Sequence, residues 1–157
     1  MSTLLQMQPV VRPMNEADLP EIAALDAQSY PFPWTLGNFA DSMRSGYRCC
    51  VYEADGEIIG YAVMMLVVGE AHLLNITIAP AWQGQGWGRA LMRYVIGRAH
   101  QDHAESIWLE VRPSNSVARH LYDSMGFDCV SVRKNYYPAI NGREDAVIMR
   151  LDLIGHA

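Results

Sequence analysis

The residue patterns predict an α/β chain in which a mixed, mostly antiparallel sheet is covered by helices on its faces. Three observations carry this. Three strand-like runs follow one another between residues 48 and 79 with only tight turns between them, the pattern of an antiparallel meander. The last of these runs straight into a glycine-rich turn, Gln83-Gly84-Gln85-Gly86-Trp87-Gly88, and then into a helix-periodic segment. Downstream, a strand-helix pair is followed by two more strand-like runs. The resulting order is β-αα-βββ-α-β-α-ββ, with no repeat or linker between its parts.

The first strand is centred on Val10 to Arg12. Asp18-Leu-Pro-Glu21 then has capping-box spacing with Pro20 in the first turn, and Leu19, Ile22, Ala23 and Leu25 supply an apolar stripe for a first helix. Pro31 and Pro33 break the chain at Tyr30-Pro-Phe-Pro-Trp34, after which Thr35 can cap a short helix carrying Leu36, Phe39 and Met43. This rigid aromatic break suits packing between helices or one wall of a substrate cleft. Arg48 to Ala54 is strand-like, Asp55-Gly56 is a hairpin turn, Glu57 to Val68 is a long strand, and Gly69-Glu70 turns into a strand over Ala71 to Ala79. The next helix, Gly88 to about Arg98, should bury Ala90, Leu91, Tyr94 and Val95, with Gly97 weakening its far end. Ser106 to Val111 is a buried-strand pattern interrupted by one carboxylate, Glu110. Pro113-Ser-Asn115-Ser116 starts a helix that runs to Met125 and stops at Gly126. Cys129 to Tyr136 and Ala146 to Leu153 are the final strands, flanking a turn with Asn141-Gly142.

At 157 residues the chain suits one domain, and half of its residues are hydrophobic against 18% charged, a globular balance. Disorder is expected only at the ends. Met1 to Met7 lack a basic start and a long apolar block, which argues against a secretory leader, and no apolar run reaches the length of a membrane span. Three cysteines without C-x-x-C spacing point to a reduced, cytoplasmic protein and to sheet or core thiols rather than a nucleophile. Among five histidines, His100 and His103 have helical spacing but no patterned partners for a metal. A net charge of −5 disfavours nucleic acid backbones and mildly attracts cationic peptides.

The glycine-rich turn is the most informative stretch. Glycines at alternate positions 84, 86 and 88 leave the backbone free of Cβ atoms, so successive N–H groups can converge on one anion while the following helix adds its positive end. Phosphate is the natural ligand. A dinucleotide fingerprint needs glycine where Arg89 stands, and a P-loop needs Gly-Lys-Ser/Thr, which is absent. From the loop alone, a tight strand-to-helix turn without a ligand is the other reading.

Gln-x-x-Gly-x-Gly after a strand resembles the pyrophosphate loop of the GCN5-related N-acetyltransferases. The run LEVRPSNSVARHLYDSMGF, Leu109 to Phe127, resembles the second half of the same signature, in which a strand is followed by an asparagine and a helix ending Tyr-x-x-x-Gly-Phe. Within that superfamily, Leu109-Glu-Val-Arg112 and Asn115, with Arg133-x-Asn135-Tyr136-Tyr137, Gly142-Arg-Glu-Asp145 and Pro33-Trp34, look like the bacterial ribosomal-protein-alanine N-acetyltransferases. The resemblance spans nearly the whole chain.

It implies a single GCN5-related N-acetyltransferase domain over residues 1–157, with an ordered core of about 8–153, using acetyl-CoA and no metal. Ile76, Thr77 and Ile78 would bind pantetheine through strand backbone. Gly84, Gln85, Gly86, Trp87, Gly88 and Arg89 would cradle the pyrophosphate, and Asn115 would contact the cofactor. Glu110 would be the base and Tyr122 the acid, with Trp34, Tyr136 and Tyr137 bordering the acceptor. The implied acceptor is the alanine-started N-terminal tail of a small-subunit ribosomal protein, in the cytoplasm, without direct nucleic acid or membrane contact. Gly84 departs from the pattern, because that site is often arginine, which puts one possible phosphate contact in doubt; backbone donors could still suffice.

The residues support such chemistry independently. Acetyl transfer needs a neutral amine and a proton for the departing thiolate. With a pKa of about 7.7 to 8.0, roughly a tenth of an α-amine is neutral at pH 7, against about one part in a few thousand for a lysine amine near 10.4. A carboxylate acting through water suffices for the former. Partial burial of Glu110 in its apolar strand would favour proton uptake, and a tyrosine hydroxyl is a fitting donor to a thiolate. The structural alternatives are a Glu110–Arg112 ion pair and a packed Tyr122 ring. A relative acting on a lysine or small amine, and a non-catalytic acetyl-CoA-binding regulator, are the competing functions.

Overall fold

A computed structural model describes residues 9–154. The outer limits of the expected 1–157 domain and the disorder expected at its ends lie outside the described residues. The elements are β1 (Val10–Pro13), α1 (Leu19–Ser29), α2 (Leu36–Arg44), β2 (Arg48–Ala54), β3 (Glu57–Val67), β4 (Glu70–Ile78), α3 (Trp87–Gln101), β5 (Ser106–Val111), α4 (Ser116–Ser124), β6 (Asp128–Ala139) and β7 (Gly142–Asp152). Short 3₁₀ turns at Glu16–Asp18 and Pro80–Trp82 are additions to the predicted order. The strands form one mixed sheet in the order β1-β2-β3-β4-β5-β7-β6. β4 and β5 run parallel, whereas the β1–β2, β2–β3, β5–β7 and β7–β6 pairs are antiparallel.

The described chain forms two compact units, one of residues 9–64 and 75–95 and the other of 65–74 and 96–154. In the first, Asp55 and Gly56 both take positive φ (52° and 77°), the mirror-image turn whose twist matches a two-residue hairpin. Its core joins Leu19 and Ile22 of α1 and Phe39 of α2 to Val51, Ile58, Tyr61 and Val63 of β2 and β3. Burying each such side chain is worth about 1.5–3 kcal/mol. The capping box at the entry to α1 is not the expected one. Asn15 and Asp18 form it, around the 3₁₀ turn, and Asp18 also takes two 2.8 Å hydrogen bonds from Arg12. The box spacing recurs three residues earlier than Asp18-x-x-Glu21, and the version with a cation for its carboxylate prevails. Thr35 caps α2 as expected, accepting from Asn38 N. Gly60 is required by a close approach, since a Cβ there would sit 2.8 Å from the Thr77 carbonyl oxygen.

α3 starts at Trp87 and continues through Gly97 to Gln101, so its boundaries are wider than expected. Its buried residues are Leu91, Met92, Val95 and Ala99, whereas Tyr94 is exposed. The buried stripe is thus rotated from the predicted one, with Met92 and Ala99 buried and Tyr94 turned outward.

In the second unit, β4 pairs with β5 from Glu70↔Ser106 to Leu73↔Leu109, and β5 pairs with β7 along its whole length. Gly126, at φ 97°, ends the α4 segment. β6 and β7 are longer than predicted and joined through Ile140 and Asn141, with Ala139 opposite Gly142. The register shifts between Arg133 and Tyr137. Residues 134–136 there oppose Asp145 alone, an enlarged bulge with two extra residues. Asn135 adopts φ 53° within it.

Candidate active site

The strand-turn-helix that opens the site is built within the first unit. β4 runs to Ile78 and its pairing with β3 is extended by Ala79, whose N–H donates to the Ile59 carbonyl at 2.8 Å. The turn behind it is held by Trp82 Nε1 donating to Glu57 Oε2 (2.9 Å) and by Gln83 Nε2 donating to the Ile78 carbonyl (2.9 Å). Gly84 (φ 77°) and Gly86 (φ 90°) are left-handed, and no atom lies within 4 Å of the Cβ either would carry. Alternation of left-handed glycines turns consecutive N–H groups inward, and the start of α3 adds N–H groups without intrahelical acceptors. Trp87, Gly88 and Arg89 lie in the first turn of that helix. Trp87 packs edge-on to Tyr52, with ring centroids 6.3 Å apart. The cradle has space and donors for a pyrophosphate.

Asn75, Ile76 and Thr77 are tied to α1 and to Tyr30 at its end by a polar network whose partners local sequence pattern does not show. Asp26, 1% exposed, accepts hydrogen bonds from Trp34 N (2.8 Å), Tyr61 OH (2.7 Å) and Asn75 Nδ2 (3.2 Å). Thr77 donates to Asn75 Oδ1 at 2.8 Å, and the Tyr30 hydroxyl lies 2.7 Å from Thr77 Oγ1 and 3.3 Å from the Ile76 carbonyl oxygen. Burial, reinforced by Asp26, pushes the Tyr61 phenol well up; burial also raises that of Tyr30. The signal was present: Asp26 falls on the Leu19–Ile22 stripe, where an apolar residue belongs. Trp34 is half-buried and its ring meets Phe39 at 5.1 Å, so the packing role of the aromatic break is realised in this unit.

The second unit, taken by itself, holds Glu110, Asn115, Tyr122, Tyr136 and Tyr137. Glu110 is exposed on that strand, so the partial burial expected for it is absent. The reason is the alternation of the strand: Leu109 and Val111 take the buried face and leave Glu110 on the other. Arg112, the partner for Glu110 in the structural alternative, binds Glu144 at 3.2 Å, donates to the Pro138 carbonyl at 2.8 Å and lies 4.3 Å from the Tyr137 ring centroid. Burial, followed by the charge of Glu110, pushes the Tyr137 phenol up to about 12. Tyr136 and Tyr137 meet edge to face at 5.1 Å. Tyr122 is 7% exposed and packs against Phe127 at 5.7 Å. Asn115 is the N-cap of α4, its side chain accepting from Ala118 N at 3.3 Å. That bond engages the oxygen and leaves the amide group for other contacts.

Among the described residues no group of three His, Cys, Asp or Glu side chains is placed to hold a metal ion. No helix among them is long and apolar enough to cross a membrane.

An anion cradle between a strand and a helix, with a carboxylate strand and a capped helix downstream, defines an acyl-CoA transferase type of fold. The model of the acetyltransferase (GNAT) family matches residues 19–127, and the chain belongs to that family. The bS18-alanine N-acetyltransferase of Escherichia coli K12 is 37% identical over 140 residues, covering 89% of this chain and 95% of that protein. A relative of the same description from Haemophilus ducreyi is 34% identical over 145 residues, covering 92% and 100%. The crystal structure of the Escherichia coli ribosomal-protein-S18-alanine N-acetyltransferase superposes with a TM-score of 0.87 at 36% identity, covering 92% of this chain and 94% of that one.

Proposed function

We propose that this chain, as one domain over residues 1–157, acetylates the N-terminal alanine of a small-subunit ribosomal protein, bS18 or its counterpart, in the cytoplasm. The observation that carries this is the match over about nine-tenths of the chain to relatives of that description, at 34–37% identity. Acetyl-CoA supplies the acetyl group as a thioester. Ile76, Thr77 and Ile78 offer backbone groups to its pantetheine arm. Gly84, Gln85, Gly86, Trp87, Gly88 and Arg89 hold the pyrophosphate, and Asn115 contacts the same ligand from the cap of α4.

In this reading Glu110 removes the amine proton through a water molecule. Its exposure suits that role, since a water-mediated base needs access to solvent and to the incoming amine. Tyr122 holds a proton at its phenolic oxygen for the departing sulfur. Transfer is direct, without a covalent enzyme intermediate. Trp34, Tyr136 and Tyr137 border the extended N terminus of the acceptor, offering apolar faces with polar edges. The net charge of −5 assists approach of a basic tail.

Release of free thiol from acetyl-CoA in the presence of an alanine-started basic peptide tests the reading. Turnover dependent on that peptide is expected. Binding of acetyl-CoA without turnover would identify a regulator, and turnover confined to lysine or a small amine would identify the other enzyme class.

A further inference from the structure

The bulge in β6 carries out a displacement that the hairpin itself does not need. Below it, β6 and β7 pair as Val132↔Val147 and Arg133↔Ala146. Continued without interruption, that register would set Tyr137 opposite Gly142, at the hairpin end. With the bulge, Tyr137 instead faces Glu144. The tyrosine is thus drawn back by two residues, about 7 Å along the strand, to where Arg112 stands over its ring.

This arrangement is held by the charged run that begins β7. Asp145 Oδ1 accepts from Asn135 N at 2.9 Å, fixing the left-handed residue of the bulge. Arg143 donates to the carbonyls of Asn135 and Tyr136, both at 2.7 Å. Glu144 reaches across to the loop after β5, accepting from Ser114 N at 2.8 Å and from Arg112 at 3.2 Å. Arg112 in turn grips the Pro138 carbonyl and covers the face of Tyr137. A left-handed asparagine carries a strain cost, and a paired carboxylate and guanidinium with about a fifth of each side chain exposed lose hydration. Eight paired positions already join β6 to β7, with a two-residue connection. Hairpin formation alone accounts for neither cost.

We propose that Glu144 and Arg112 are positioning residues that hold Tyr137 against the end of β5, the strand that carries Glu110, and so set how the acceptor amine is received. The proposal rests on the acetyltransferase reading above and names the part of the chain that orients its acceptor side. Neither residue touches the reacting atoms; both act through Tyr137. Lysine cannot replace Arg112, because a compact ammonium lacks the planar face that covers the Tyr137 ring.

The experiment is a double-mutant cycle on Glu144→Gln and Tyr137→Ala, measured by steady-state acetylation of an alanine-started basic peptide. Glu144→Gln is expected to raise the peptide KM about tenfold and leave the acetyl-CoA KM within about twofold. In the Tyr137→Ala background the same change should add less than about twofold. Arg112→Lys should behave like Glu144→Gln. Asn135→Gly, which accepts the left-handed backbone, should stay near wild type, while Asn135→Val should reproduce the loss. Independent, multiplying effects of Glu144→Gln and Tyr137→Ala would overturn the positioning role, as would a wild-type peptide KM for Glu144→Gln. A wild-type peptide KM for Tyr137→Ala would remove both this role and the acceptor assignment of Tyr137. Absence of any thiol release from the wild type would refute the underlying acetyltransferase reading.

Discussion

Glu110 meets solvent on β5 while its strand neighbours are buried, so its proposed work is to pass a proton to water. Glu110→Gln should then lower turnover most at low pH and recover partly as pH rises, because an α-amine of pKa about 7.7 to 8.0 increasingly loses its proton unaided. Tyr122→Phe should lower turnover without that recovery, since the departing sulfur still lacks its donor. Rate profiles from about pH 6 to 9 check both roles, and wild-type profiles would remove them. Gly84 admits an equally local test. Its φ of 77° with open space around it makes backbone conformation the obstacle to a side chain. Gly84→Arg is therefore expected to cost about 1–2 kcal/mol of stability without tightening acetyl-CoA. Gly86→Val should abolish acetyl-CoA binding in a folded protein, as calorimetry would show. Normal binding by that variant would contradict the phosphate-cradle assignment.

Among the elements, α1 is the one whose polar content organises its surroundings. Asp26 satisfies donors from the loop before α2, from β3 and from the end of β4, and its removal would strand all three. Asp26→Asn should cost about 3 kcal/mol, read as a lower urea midpoint with an unchanged slope, because buried donors would be left facing an amide. An unchanged midpoint would show the network to be dispensable. Local pattern made most of the elements legible. Asp55-Gly56 fixed one hairpin, Thr35 a helix start and Gly126 a helix end, each through chemistry within four residues. What was not legible depends on distant partners. Nothing near Asp26 in sequence announces Tyr61 or Asn75, and the bulge at Asn135 exists through Asp145 and Arg143 on the next strand.

At the scale of the whole molecule, the predicted strand and helix order is present throughout the described residues, and the family assignment follows from it and from the motifs. The apolar run around Glu110 suggests partial burial, with Arg112 as its partner only in the structural alternative; the sheet exposes Glu110 through strand alternation and sets Arg112 against Glu144 on β7, a contact between strands that local pattern does not show. Acid stability should also reflect such pairing. The Arg12 hydrogen bonds hold the Asp18 carboxyl below its usual range, partly against burial. A depressed folded value stabilises above the unfolded value of about 4 and ceases to do so as pH falls through the folded one. Arg12→Gln should consequently lower the urea midpoint near neutrality and shrink its further fall below about pH 4; an unaltered acid limb would contradict the pairing.

The central claim is that the acceptor is a peptide α-amine. The most direct measurement offers acetyl-CoA with an alanine-started basic peptide, the same peptide blocked at its N terminus with its lysines free, and free lysine, then locates the acetyl group by mass spectrometry. Acetyl on the alanine nitrogen of the first peptide, with little on the other two, is the predicted result. Equal rates on all three would contradict it.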